Sequence, residues 1–160
     1  MTGTLELRVE PSSSPAARRL AEALDALILE RYPGLPTNGL EPGFDALGGV
    51  FVVGYSAGEP AACGALRREG EAAEVKRMFV APAWRGRGFA RDILAFLEGE
   101  AARRGFSRAI LETGVRQPEA IGLYRSAGWR EIPCYGVYAD EPVSRCFAKD
   151  LPLPTGAGPA

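Results

Sequence analysis

Val80-Ala81-Pro82-Ala83-Trp84-Arg85-Gly86-Arg87-Gly88-Phe89-Ala90-Arg91 leads a strand into a turn and the turn into a helix. Upstream, residues 73–80 (AEVKRMFV) read as a strand that Pro82 ends. Downstream, residues 90–104 place Ile93, Leu94, Leu97 and Ala101 on one helical face, and Gly105 closes the helix after basic Arg103 and Arg104. Glycine costs roughly 1 kcal/mol against alanine inside a helix, so two glycines at its start need a reason. Close approach of a ligand to bare backbone N–H groups is one. The charges agree. A helix N-terminus carries about half a positive charge and attracts acids or hydroxyl caps. This one gathers Arg85, Arg87 and Arg91 instead, a clash that an anion such as a phosphate relieves. The plain alternative is an exposed basic turn on an ordinary helix.

The phosphate ligand is narrowed by spacing. A Walker loop ends in Gly-Lys-Ser/Thr, which is absent here. The dinucleotide fingerprint is half met, because Arg91 stands where its third glycine belongs. That fingerprint also opens a parallel unit, whereas this turn follows an antiparallel meander of strands at 50–55, 61–68 and 73–80.

Around that meander the pattern predicts one domain over residues 1–150. It has a first strand at 4–9, a helix at 16–32 that the stretch Pro11-Ser12-Ser13-Ser14-Pro15 could cap, and a Pro- and Gly-rich loop at 33–43 with a short helical turn. After the Gly-rich turn come a buried strand at 109–113 and a helix at 117–128 with Pro118 at its first position. A final strand pair at 129–132 and 143–148 is joined by residues 133–142. Residues 151–160 read as a disordered tail. Fold class is α/β or α+β.

Composition limits the chemistry. With 160 residues, 19 basic and 20 acidic side chains, the chain gives no general attraction to nucleic acid or an anionic membrane. No apolar run approaches the roughly 20 residues of a membrane span, and the N-terminus lacks a signal peptide's apolar stretch, so the expectation is a cytoplasmic protein. Cys63, Cys134 and Cys146, an odd set without CxxC spacing, predict free buried thiols, with neither a disulfide nor a zinc cage. The chain contains no histidine, which excludes Ser-His-Asp and Cys-His catalysis and histidine-ligated metals. Proton transfer falls to Glu, Asp, Tyr, Cys, a terminus or water.

Arg85-Gly86-Arg87-Gly88-Phe89-Ala90 resembles the Arg/Gln-x-x-Gly-x-Gly/Ala motif of the GNAT superfamily of N-acyltransferases at every specified position. Ala120, Leu123, Tyr124, Gly128 and Trp129 are similar to a second pattern of that family, and the likeness extends over about residues 50–149. The resemblance implies a mixed, mostly antiparallel central sheet of about six or seven strands, flanked by helices and splayed open where acetyl-CoA binds as cosubstrate, with no metal. It implies that backbone groups of Met78, Phe79 and Val80 pair with the pantetheine arm, and that amides from Arg85 to Ala90, with Arg91 nearby, hold the pyrophosphate. Tyr124 would protonate the leaving thiolate. Gln117 stands where the family often has Asn, so its reach to the pantetheine arm differs. The likeness leaves a homodimer open.

An acetyl group would thus pass to the amine of a small-molecule or peptide acceptor. Glu74, acting through water, is the expected base. Glu112, in the apolar strand at 109–113, either faces the cleft or pairs with an arginine such as Arg77. Arg77, Glu112, Tyr135, Tyr138 and the 33–43 loop are the expected acceptor walls. Two other readings compete: a non-catalytic acyl-CoA sensor that keeps the turn, and a nucleic-acid module using RGRG as a basic patch, which the near-neutral charge disfavours. A ligand that binds only the folded state raises the melting temperature. Acetyl-CoA should do so and oligonucleotides should not; no shift at millimolar acetyl-CoA would sink the main reading.

Overall fold

The computed structural model describes residues 4–37 and 39–152. Seven strands and three helices follow one another as β1 (Glu6–Glu10), α1 (Pro15–Arg31), β2 (Val50–Ser56), β3 (Glu59–Glu69), β4 (Ala72–Val80), α2 (Phe89–Arg103), β5 (Arg108–Gly114), α3 (Pro118–Ser126), β6 (Arg130–Ile132) and β7 (Ser144–Asp150). They form one sheet in the order β1-β2-β3-β4-β5-β7-β6. Every neighbouring pair is antiparallel except β4 and β5. The expected sheet and element order hold, with ends shifted by one or two residues.

The sheet is covered on both faces, which explains why β2 reads Val-Phe-Val-Val without polar alternation. Phe51 and Val53 pack with Cys63, Ala65 and Phe79 beneath Ala17, Leu20 and Leu24 of α1. Val50 and Val52 pack on the opposite face beneath Phe89, Ile93, Leu94 and Leu97 of α2, in a core that continues to Tyr124, Trp129 and Phe147. Ser14 caps α1, accepting from the Ala17 amide at 3.1 Å. Residues 33–43 form turns and irregular chain, and no helix occurs there among the described residues. Leu151, expected to begin the tail, is buried in the core, and its amide donates to the Ser107 carbonyl at 2.9 Å. The rest of the expected tail, residues 153–160, lies outside the described residues.

The feature that positions the site is the parting of β4 from β5. Their parallel pairing runs only from Ala73↔Ala109 to Val75↔Leu111. On its other edge β4 slips register against β3 between Cys63 and Ala65. At that irregularity Arg77 adopts φ 60°, a left-handed conformation that costs a non-glycine residue about 1–3 kcal/mol unless its surroundings hold it. Those surroundings are present: the Cys63 thiol donates to the Arg77 carbonyl at 3.3 Å, and Arg77 Nη2 donates to the Ala21 carbonyl of α1 at 2.9 Å. Gly64, beside the bulge, cannot gain a side chain. A Cβ there would lie 2.7 Å from Ile93 Cγ2 and 2.9 Å from both Leu97 Cδ1 and Met78 Sδ. Overpacking of this kind costs about 1–3 kcal/mol. Gly64→Val should therefore lower the melting temperature by about 3–9 °C, since each kcal/mol moves a chain of this size by about 3 °C; an unchanged melting curve would show that the contact is soft.

Candidate active site

Two expectations about the Gly-rich turn change in detail. Gly86 and Gly88 lie before α2 rather than in its first turn, both at φ 80°, with Gly88 as the N-cap. Their purpose is this left-handed backbone, which side chains resist. Nor do the three arginines converge on one point. Arg85 Nε donates to the Val80 carbonyl at 3.0 Å and its guanidinium lies over Phe79; Arg87 stacks 4.8 Å from the centre of the Trp84 ring; Arg91 Nη2 donates to Ser126 Oγ on α3 at 2.6 Å. The amides answer the expectation more directly. From Gly86 to Arg91 none finds an acceptor among the described residues, between Arg85 N bonded to Pro82 O and Asp92 N bonded to Gly88 O. Successive unpaired amides at the positive end of a 15-residue helix fit a diphosphate, and no side chain caps that end.

Where β4 and β5 part, their residues line a cavity of about 330 Å³. Its floor includes Glu74, Lys76, Arg77 and Met78 of β4, together with Glu112 and Thr113 of β5. Tyr124 of α3, Gln117, Tyr138 and Glu141 also line it. Tyr124 is 4% exposed, packed 6.1 Å from Trp129 and 6.0 Å from Phe147 between ring centres. Burial raises its phenol well above the ordinary value, and the nearby Glu112 charge adds to the rise. It is thus a neutral O–H at the cavity wall. Gln117 is engaged at one end: its Oε1 accepts from Tyr32 OH at 3.3 Å, while Tyr32 in turn accepts the Arg116 amide at 2.9 Å.

The two glutamates differ sharply. Glu74 is 3% exposed with both oxygens taken, Oε1 by Arg67 at 3.1 Å with Lys76 at 3.8 Å, and Oε2 by Tyr135 OH at 2.7 Å. Among the described residues Glu112 has one side-chain hydrogen-bond partner, Ser144 Oγ, which donates at 2.7 Å. It does not pair with Arg77, whose Nη2 instead lies 2.9 Å from Asp25 Oδ1 on α1. Burial pushes the Glu112 carboxyl up to about 7, with Glu74 and Glu141 adding to the rise and Ser144 and Lys76 opposing it. Of the expected acceptor residues, Arg77, Glu112 and Tyr138 line the cavity; Tyr135 reaches it only through Glu74.

The cysteine expectation is overturned in part. Cys134 and Cys146 form a disulfide, their Cα atoms 5.1 Å apart. Spacing in sequence could not reveal it, because β6 and β7 bring the two together through the sheet. The bridge fastens the segment carrying Tyr135, Tyr138 and Glu141 to β7 at the residue paired with Glu112. Cys63 is free, and burial pushes its thiol up to about 12, so it is no nucleophile. Ser144 and Glu141, which the sequence reading did not single out, complete the site; only their position in the fold marks them.

Residues 20–129 match the Acetyltransferase (GNAT) family. An IAA acetyltransferase of Azospirillum brasilense is 37% identical over 139 residues, covering 85% of this chain and 91% of that one. A Klebsiella pneumoniae chain solved as a candidate acyl-CoA N-acyltransferase superposes with a TM-score of 0.78 at 27% identity, over 92% of this chain and 98% of that one. The fold also matches yncA of Salmonella typhimurium, solved with its cofactor acetyl-CoA, at a TM-score of 0.70 and 18% identity, over 98% of each chain. The chain belongs to the GNAT acetyltransferase family, whose members are acyltransferases that use acetyl-CoA. Among the described residues no helix is long and apolar enough to cross a membrane, and no three His, Cys, Asp or Glu residues are grouped to hold a metal ion.

The raised Glu112 carboxyl has a consequence for stability. Unfolded, it ionises near 4.5; folded, near about 7, so the native state binds the extra proton between them. Stability must then fall as pH rises through that window. Glu112→Gln should raise the melting temperature more at pH 8 than at pH 4, and an equal change at both would contradict the shift.

Proposed function

We propose that this chain transfers the acetyl group of acetyl-CoA to a primary amine by direct attack in a ternary complex, with Glu112 as base and Tyr124 as acid. The observation that carries this reading is the presence of both side chains on one cavity, at the point where β4 leaves β5 and opens an unpaired backbone edge. The amides of residues 86–91 would hold the diphosphate, and backbone of Met78, Phe79 and Val80 would steady the pantetheine arm. The Val80 carbonyl already takes Arg85 Nε, so its share needs that side chain to turn aside.

An alkylamine has a pKa near about 10 and arrives as an ammonium, so it must lose a proton before attack. Glu112, half-buried and poised near about 7, is suited to take it. Glu74 is the less suitable base because Arg67 and Tyr135 occupy its oxygens, and we assign it to holding the acceptor wall. The freed lone pair forms the C–N bond as the carbonyl oxygen gains charge. A backbone N–H of the β4 bulge aimed at that oxygen would contribute about 3 kcal/mol. The C–S bond then breaks, and the neutral Tyr124 phenol gives its proton to the thiolate. The acetylated nitrogen gives its second proton to the Tyr124 phenolate, so overall the ammonium loses two protons, one ending on the thiol and one passing through Glu112 to solvent. Holding two reactants together supplies the larger part, roughly 7–11 kcal/mol.

With an amine acceptor, kcat/KM should rise as pH climbs through about 7, because Glu112 works only when ionised. Glu112→Gln should abolish that limb and lower kcat by about 10²–10⁴. Tyr124→Phe should lower turnover by about tenfold or more while the affinity for acetyl-CoA stays within twofold. A Glu112→Gln enzyme that keeps the limb, or a Tyr124→Phe enzyme at full speed, removes that residue from its role.

A further inference from the structure

The charge around the cavity is one-sided once its ion pairs are traced. Two cations face it, and each already has a carboxylate. Arg77 is 8% exposed, with Nη2 2.9 Å from Asp25 Oδ1; its Nε lacks a hydrogen-bond partner but is sealed from the cavity by burial. Lys76 Nζ lies 3.8 Å from Glu74 Oε1 and donates to Tyr138 OH at 3.3 Å. Glu74 is further matched by Arg67, itself shared with Glu41 at 2.8 Å and Glu69 at 2.5 Å. Glu112 and Glu141, by contrast, have no cation within ion-pair distance among the described residues, where Glu112 accepts only from Ser144 and the Glu141 carboxylate only from the Val143 amide at 3.4 Å.

Above this acidic floor the walls are apolar. Leu24 and Ile28 of α1, with Leu35 and Pro36 after it, form one side, and Val137 and Tyr138 form the other. Val137 is 82% exposed, an apolar side chain with no protein neighbour covering it at the mouth of the cavity.

We propose that the acceptor is a small primary amine on an apolar aromatic or aliphatic body, without a carboxylate of its own. This rests on the acetyl-transfer reading and narrows it. The ammonium settles against Glu112 and Glu141, and the body lies between the α1 wall and Val137. An α-amino acid would carry its carboxylate into the same volume, where both open carboxylates repel it and neither cation is free to receive it. Burial strengthens that repulsion, because less water screens it.

Phenethylamine, phenylalaninamide and phenylalanine share one body and separate charge from bulk. Turnover by thiol release should be comparable for the first two and at least about 100-fold lower in kcat/KM for phenylalanine. Glu141→Gln should recover phenylalanine by about tenfold while leaving the thermal shift given by acetyl-CoA unchanged. Phenylalanine within tenfold of phenethylamine would overturn the proposal. So would phenylalaninamide as poor as phenylalanine, since size would then be the filter. Binding of the same three amines to the protein saturated with coenzyme A, read by thermal shift, should keep the same order. That order without any turnover would sink the transfer reading and leave the pocket chemistry standing; turnover with the order lost, or no binding by any of them, would sink the pocket chemistry.

Discussion

The structure depends on a ladder of backbone hydrogen bonds that stops. β4 and β5 pair for three residues and then part. A sheet edge inside a protein normally exposes amides and carbonyls at a cost, and proteins cover or blunt such edges. Here the break falls beside the bulge at Arg77, which is held by the Cys63 thiol, the Ala21 carbonyl and the close packing around Gly64. Where the strands part, residues of β4 and β5 line the cavity that Glu112 and Tyr124 share. An inert cysteine, an arginine and a glycine thus support a site in which none of them acts chemically.

The second determinant is how charge is distributed among nearly identical groups. Glu74 and Glu112 face the same cavity from neighbouring strands, Glu112 two positions beyond the residue paired with Glu74. One meets Arg67 and a tyrosine hydroxyl; the other meets, among the described residues, a serine hydroxyl. Desolvation, which Ser144 and Lys76 oppose only in part, raises the Glu112 carboxyl, and the same surroundings keep Tyr124 a neutral phenol. In the proposed reaction acid and base therefore need no histidine, because burial sets the Glu112 protonation state and Tyr124 stays a neutral phenol. The Cys134–Cys146 bridge belongs to the same arrangement, since it ties the wall bearing Glu141 and Tyr138 to the strand behind Glu112.

Much of this was legible in one dimension. The 3.6-residue periodicity of Ile93, Leu94, Leu97 and Ala101, the short apolar strands and the Pro82 stop give the elements, because local geometry alone sets those patterns. The turn Arg85–Ala90 pointed to the proposed donor site for a similar reason: consecutive residues present unpaired amides with little help from the rest of the chain. What the sequence could not decide were relations between residues far apart along it. The partnering of Glu74 with Arg67, of Arg77 with Asp25, and of Cys134 with Cys146 depends on which strands and helices lie side by side. Protonation is a property of surroundings. The sequence by itself therefore determined the fold class and the turn proposed to bind the donor, which are local; the tertiary structure alone decided which glutamate has no ion-pair partner among the described residues and what the cavity proposed for the acceptor can admit, because burial and charge pairing exist only once the chain has folded.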